Sequence, residues 1–133
     1  CGTGVLAISS VLLGASDVLA IDIEDGAVKN TLDNAKLNNI KSIVVDCGTS
    51  NLLKEKHNGL NDVILANINR NVLLKDMSIY NNVLKPGGDI VFSGFFTGDV
   101  KQMRESIISL GLHVVNVIER EGWACIHCGK PVE

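Results

Sequence analysis

Residues 1–22, CGTGVLAISSVLLGASDVLAID, decide the fold. They read as a glycine turn at Gly2 and Gly4, an apolar helix, and a strand that ends in an acid, Asp22. That order is the ligand-binding end of a βαβ unit. Glycine has no side chain, so the backbone can turn sharply at Gly2 and Gly4 and lie close to a ligand. The apolar residues that follow begin a helix whose free N–H groups point back at the turn. Asp22 stands where an acid accepts hydrogen bonds from ribose hydroxyls. The strand that should feed this turn is absent, because the chain opens on the turn itself. The sequence therefore reads as a fragment missing its first strand.

Outward from this stretch, Val5, Leu6, Ile8, Val11, Leu12 and Leu13 place apolar groups almost all round the first helix, as expected for one packed under a sheet, and Gly14 fits its stop. Val18 to Ile23 is a run without alternation, the mark of a strand covered on both faces. Asp25 can cap a second helix with Val28, Leu32 and Ala35 on its inner face, ended by Asn38 and Asn39. A strand from Ser42 to Val45 runs into Asp46, Cys47 and Gly48. A polar surface segment, Thr49 to Asn61, leads to a strand from Asp62 to Ala66, topped by Asn67. Leu73, Met77, Tyr80 and Leu84 have helical spacing over Asn71 to Leu84, and Lys85-Pro86-Gly87-Gly88 breaks that helix before a strand at Asp89 to Phe95. Asp99 can cap a last helix carrying Val100, Met103, Ile107 and Leu110, with Gly111 as its stop. Val114 to Ile118 and Trp123 to Cys128 then form an antiparallel hairpin. The order predicts an α/β fold, a doubly wound and largely parallel sheet with an antiparallel end.

The bulk numbers agree. A length of 133 residues, 46% hydrophobic and 20% charged, suits one globular domain with a proper core. No apolar run approaches the roughly 18 residues of a membrane span. A net charge of −3 and the lack of basic clusters interleaved with aromatics argue against nucleic acid and suit a basic protein substrate. Four scattered cysteines are too few for a disulfide scaffold and point to a reducing cytosol.

Gly2-Thr3-Gly4 alone is a weak signal, and Asp22 at the end of the next strand strengthens it. Read through Ala7 as G-x-G-x-x-A, the same residues also match a dinucleotide fingerprint, so the local motif fits an adenosyl sulfonium cofactor or NAD. Cys125-Ile126-His127-Cys128 invites a metal reading, but strand positions three apart point to opposite faces, so the two sulfurs diverge and no metal site is expected. His57 reads as a solvated loop histidine, His113 as a strand histidine, and Trp123 as core in preference to a wall of the site.

Asn67-Ile68-Asn69-Arg70 ends the fourth strand at the carboxyl edge where Gly2, Asp22 and Asp46 also gather. With Lys85-Pro86-Gly87-Gly88 and the terminal hairpin, the chain resembles the class I methyltransferases that use S-adenosylmethionine. More narrowly, Cys1-Gly2-Thr3-Gly4-Val5-Leu6-Ala7-Ile8, Ala20-Ile21-Asp22-Ile23, Ala66-Asn67-Ile68-Asn69, Leu84-Lys85-Pro86-Gly87-Gly88, Ser93-Gly94 and Gly122-Trp123 resemble the PrmA family of ribosomal-protein lysine methyltransferases. The glycine and K-P-G-G motifs are common to class I enzymes; A-N-I with the late G-W pair is more specific. The acid and glycine expected before Cys1 are absent, as is the family's N-terminal substrate-recognition domain.

The resemblance implies a Rossmann-like methyltransferase domain over 1–133, truncated at its N-terminus. The missing strand would lie at the centre of the sheet, between those ending at Ile23 and Ala66. Gly2, Thr3 and Gly4 would lie against the methionine part of S-adenosylmethionine, Asp22 would hold the ribose, and Ile23 and Asp46 would flank the adenine. Asn67, beside the cofactor, would face the accepting amine. The implied reaction is methyl transfer to protein amino groups, lysine side chains or an N-terminal amine, of a large-subunit ribosomal protein in the cytoplasm. Such transfer needs alignment and exclusion of water more than strong acids or bases, and the Asn67 amide can accept hydrogen bonds from a neutral amine and aim its lone pair. The rivals are an NAD-linked oxidoreductase, for which no Tyr-x-x-x-Lys or comparable pair is evident, and a non-catalytic cofactor-binding module.

Overall fold

The computed structural model describes residues 1–56 and 61–132. The chain divides into two units, Cys1–Ser50 and Asn51–Glu133.

The first unit holds α1 (Val5–Leu12), β1 (Val18–Asp22), α2 (Asp25–Leu37) and β2 (Ile43–Cys47). The two strands pair in parallel, Val18 opposite Ile43 through Asp22 opposite Cys47, so their carboxyl ends finish side by side. Two strands make a narrow floor. Of the apolar surround of α1 only Ala7 and Ile8 are buried, while Val5, Leu12 and Leu13 stand exposed. On β1 only Ala20 is fully buried, so neither element is covered as the sequence suggests. In α2 the inner face is turned from its expected position, with Thr31 and Ala35 buried and Leu32 half exposed. No side-chain cap closes its start; Asp25 begins the helix and Glu24 is the N-cap. Its end is as read. Asn39 adopts a left-handed conformation (φ 56°), the Ile40 N–H bonds the Ala35 carbonyl and the Asn39 N–H bonds that of Lys36, which satisfies two of the helix's last carbonyls.

The second unit holds α3 (Asn51–Lys56), β3 (Asn61–Asn67), α4 (Arg70–Val83), β4 (Leu84–Phe96), a 3₁₀ turn at Thr97–Asp99, α5 (Val100–Ser109), β5 (His113–Arg120) and β6 (Trp123–Gly129). Its sheet has the order β3-β4-β6-β5, with β3 and β4 parallel and the other pairs antiparallel. The β5–β6 turn is just Glu121-Gly122, both at positive φ, the geometry whose twist suits a two-residue hairpin. Leu73, Met77 and Tyr80 of α4 and Met103 and Ile107 of α5 cover Ile90, Phe92, Ala124, Ile126 and Cys128 on one face of this sheet, forming the core. Each unit thus has its own sheet, and the ladder is not continuous from β1 to β5.

Two boundaries differ from the sequence reading. Within the segment read as polar surface, Asn51–Lys56 is helical, and Leu53 packs against the core. Lys85-Pro86-Gly87-Gly88 lies inside β4, which begins at Leu84. Lys130 holds this stretch: the Gly87 N–H donates to the Lys130 carbonyl and the Lys130 N–H to the Gly88 carbonyl (both 2.9 Å), and the Lys130 ammonium donates to the carbonyls of Asn81 (2.7 Å) and Leu84 (3.0 Å) at the end of α4.

Candidate functional site

In the first unit, the residues expected to bind cofactor gather at the carboxyl end of β1 and β2. The turn closes by the Gly4 N–H bonding the Cys1 carbonyl (2.9 Å). Gly4 has φ 86°, and a Cβ there would lie 2.9 Å from the Thr31 side chain and 3.2 Å from the Thr31 Cα. Only glycine meets both demands, a left-handed backbone and the close passage of α2.

Asp22 faces the turn. Its Oδ2 accepts from the Cys1 amino group (2.9 Å) and the Gly2 N–H (3.0 Å), and its Oδ1 from the Glu24 N–H (3.0 Å). The bond from the amino group, then that from Gly2, holds its carboxyl well below the usual carboxylate range against the opposing effect of burial. Asp22 is therefore an anion at the strand end, as a ribose-binding acid must be. Ile23 beside it is largely exposed. Asp46 pairs with Ile21 in the ladder, one residue before the end of β2. The Cys47 thiol reaches Asp25 Oδ1 (3.2 Å) and the Ile23 carbonyl (3.5 Å). Its hydrogen bond to Asp25, followed by desolvation, raises its pKa.

Two site residues escape the sequence reading. Thr31 is completely buried, and its hydroxyl lies 3.2 Å from both the Gly2 carbonyl oxygen and the Cys1 Sγ, donating one hydrogen between them. Asn34 Nδ2 donates to the Thr3 carbonyl at 2.8 Å. The available signal was a threonine on the Val28–Ala35 stripe of α2, where an apolar residue is expected.

In the second unit, Asn67 ends β3 opposite Ser93 of β4. Next to Ser93, Gly94 (φ 88°) sits where β4 shifts register against β6. A Cβ on Gly94 would lie 2.5 Å from Asn67 Oδ1 and 2.9 Å from the Ile68 carbonyl oxygen, so the missing side chain is the space that Asn67 occupies. Asn67 itself is not left-handed, so it is not kept there for a left-handed turn. It lines a cleft of about 530 Å³ together with Ile68, Ser93, Gly94, Trp123 and Cys125. Asn69 lines the cleft too, and both it and Arg70 have structural partners. Asn69 Oδ1 accepts from the Val72 N–H (3.1 Å) and caps α4. Arg70 pairs with Asp99 (2.8 Å), so Asp99, at the N-cap of α5, makes no side-chain cap there.

Trp123 is not core. It is half exposed and stacks on Phe96 with ring centroids 4.4 Å apart. It starts β6 opposite Phe96, the last residue of β4 and itself exposed, and there it walls the cleft. Cys125 lines that cleft and Cys128 is buried in the core. The two diverge as strand geometry requires, and no metal-holding group occurs among the described residues. His113 starts β5, whereas His57 lies outside the described residues.

The family model described as ribosomal protein L11 methyltransferase (PrmA) matches residues 1–131. A ribosomal protein L11 methyltransferase of Phocaeicola vulgatus is 45% identical over 95% of this chain and 44% of its own length. One of Porphyromonas gingivalis is 46% identical over 95% and 43%. The chain thus spans under half the length of these curated relatives. The crystal structure of a ribosomal protein L11 methylase from Lactobacillus delbrueckii subsp. bulgaricus superposes with a TM-score of 0.89 at 28% identity, covering 97% of this chain and 65% of that one. The M. jannaschii TYW2, solved in complex with AdoMet, shares the fold at a TM-score of 0.70 and 14% identity, over 96% and 64%. A match from the glycine turn through the hairpin, carried by sequence and by fold alike, makes this chain a member of the ribosomal protein L11 methyltransferase family, PrmA.

Proposed function

We propose that residues 1–133 belong to the catalytic domain of a cytoplasmic enzyme that transfers methyl from S-adenosylmethionine to amino groups of a ribosomal protein. The carrying observation is that a PrmA-family chain places Asn67, by means of the side-chain space left at Gly94, on the wall of an open cleft. The residues fit the cofactor. An ionised Asp22 at a strand end suits ribose hydroxyls, a glycine turn lets a ligand approach the backbone, and Ile23 offers an exposed apolar face for a base.

When bound, S-adenosylmethionine supplies an electrophilic methyl group on a sulfonium. Asp22 would accept hydrogen bonds from its ribose, Gly2, Thr3 and Gly4 would lie against its methionine portion, and Ile23 and Asp46 would flank its adenine. Asn67 would accept from the incoming neutral amine and orient its lone pair, with Trp123 and Ile68 limiting water on that side. Trp123, backed by its stacking on Phe96, gives the cleft a flat apolar wall against which a lysine's methylene stem can lie.

The NAD reading that the turn alone leaves open has no support among the relatives, which are named methyltransferases. The test is transfer of labelled methyl from S-adenosylmethionine to isolated ribosomal proteins by the full-length protein. Labelling is expected. Binding of S-adenosylhomocysteine with no labelling of any ribosomal protein would leave a cofactor-binding module in its place.

A further inference from the structure

We propose that Thr31 and Asn34 are positioning residues that set the glycine turn for its cofactor, a role that rests on the cofactor-binding reading of that turn. They lie three residues apart on α2, hence on one face of the helix, and both reach the turn from behind. Thr31 takes the Gly2 carbonyl and Asn34 the Thr3 carbonyl, so one helix fixes two successive peptide planes. Because each peptide is planar and trans, the N–H opposite each held carbonyl is aimed the other way. The Gly4 N–H is thereby directed to the Cys1 carbonyl, closing the turn. The Thr3 N–H is turned away from α2, toward the open side where a ligand acceptor can meet it.

The turn needs such a clamp. Gly2 (φ 56°) and Gly4 (φ 86°) both adopt left-handed backbone, and glycine holds no conformation by itself. A turn that is competent only part of the time binds with an apparent Kd raised by that fraction. The buried hydroxyl of Thr31 is the signature. Packing alone would be served by valine, which has the same branched shape and no polar atom to bury.

Calorimetry with S-adenosylhomocysteine on the full-length protein tests this. Thr31→Val keeps the shape and removes the donor; we expect a fivefold to tenfold weaker Kd, a matching rise in the KM for S-adenosylmethionine, and kcat at saturating cofactor within twofold of the parent. Thr31→Ser restores the hydroxyl and should return Kd to within twofold. Asn34→Ala, with the second donor removed, should weaken binding at least threefold while its melting temperature stays within a few degrees. Equal Kd for parent, Thr31→Val and Asn34→Ala would overturn the clamp and leave the cofactor reading standing. Failure of Thr31→Ser to recover affinity would also overturn it, because packing would then be the cause. No binding by the parent protein would overturn the cofactor reading, and the clamp with it.

Discussion

Gly94→Ala tests the placement of Asn67 without touching Asn67 itself. The added methyl would lie 2.5 Å from Asn67 Oδ1, 2.9 Å from the Ile68 carbonyl oxygen and 3.1 Å from the Ile68 nitrogen. Atoms of this kind pack at about 3.5 Å, so the amide must move by about 1 Å and the Ile68 backbone must give as well. The φ of 88° adds strain of roughly 1–3 kcal/mol for a residue with a Cβ. A displacement of about 1 Å at a positioning group can cost about 100-fold in rate. We therefore expect kcat to fall between about 10-fold and 100-fold, stability to fall by about 1–3 kcal/mol in urea, and S-adenosylhomocysteine affinity to stay within about threefold. Single-turnover methyl transfer under saturating cofactor is the assay. Introducing Asn67→Ala on top removes the shortest contact, so the double variant should be more stable than Gly94→Ala alone and no slower than Asn67→Ala, a coupling expected of groups in contact. An unchanged rate in Gly94→Ala, with the protein folded, would refute the argument that Asn67 must stand where the structure puts it.

Asn67→Ala should lower turnover at least tenfold and leave S-adenosylhomocysteine affinity within about threefold, because its proposed partner is the amine; an equal loss of cofactor binding would make it a cofactor ligand instead. Asp22→Ala should weaken S-adenosylmethionine at least tenfold, since charge-assisted bonds contribute roughly 1.5–3 kcal/mol, and calorimetry checks it. As the Asp22 carboxyl is held below its ordinary value of about 3.9, its charge is complete above that pH and is lost only as pH falls through the lower folded value; its share of affinity should be level from about pH 8 to 5, and a loss centred near pH 6 would exclude it. Lys130→Met removes the ammonium that joins the Asn81 and Leu84 carbonyls and should cost about 1–3 kcal/mol of stability, read as a lower denaturation midpoint.

Most of this was legible where residue type and position tell one story. Gly2, Gly4 and Asp22 announce their turn because backbone freedom and charge are properties of single residues. The ends of α2 and α5 are legible for the same reason, in Asn39 and Gly111. What escaped depends on contacts across the chain. Asn51–Lys56 is too short to show a helical period, with Leu52 and Leu53 adjacent instead of spaced. Pro86 reads as a break, yet β4 starts before it because Lys130, more than 40 residues later by the numbering, ties down that stretch. Thr31 is a polar residue on the Val28–Ala35 stripe of α2 with no visible partner until the turn that receives its hydroxyl is in place. Trp123 is bulky and apolar, but it starts β6 opposite the exposed end of β4 at Phe96, whereas Phe92 and Ile126 farther along the ladder are buried.

The contact between Cys47 and Asp25 bears on self-damage. Cys47 is exposed and stands at the end of a strand where an electrophilic methyl donor is proposed to bind. Thiolate, not thiol, is the species that competes for such a methyl group or is oxidised. By accepting the thiol hydrogen, the Asp25 carboxylate keeps sulfur protonated, so an accessible cysteine is left a poor nucleophile. Iodoacetamide at neutral pH should label Cys47 more slowly than a free thiol, and Asp25→Asn should speed that labelling; equal rates would show that Asp25 gives no such protection. The same carboxylate that begins α2 would then double as a chemical guard at the carboxyl end of β2.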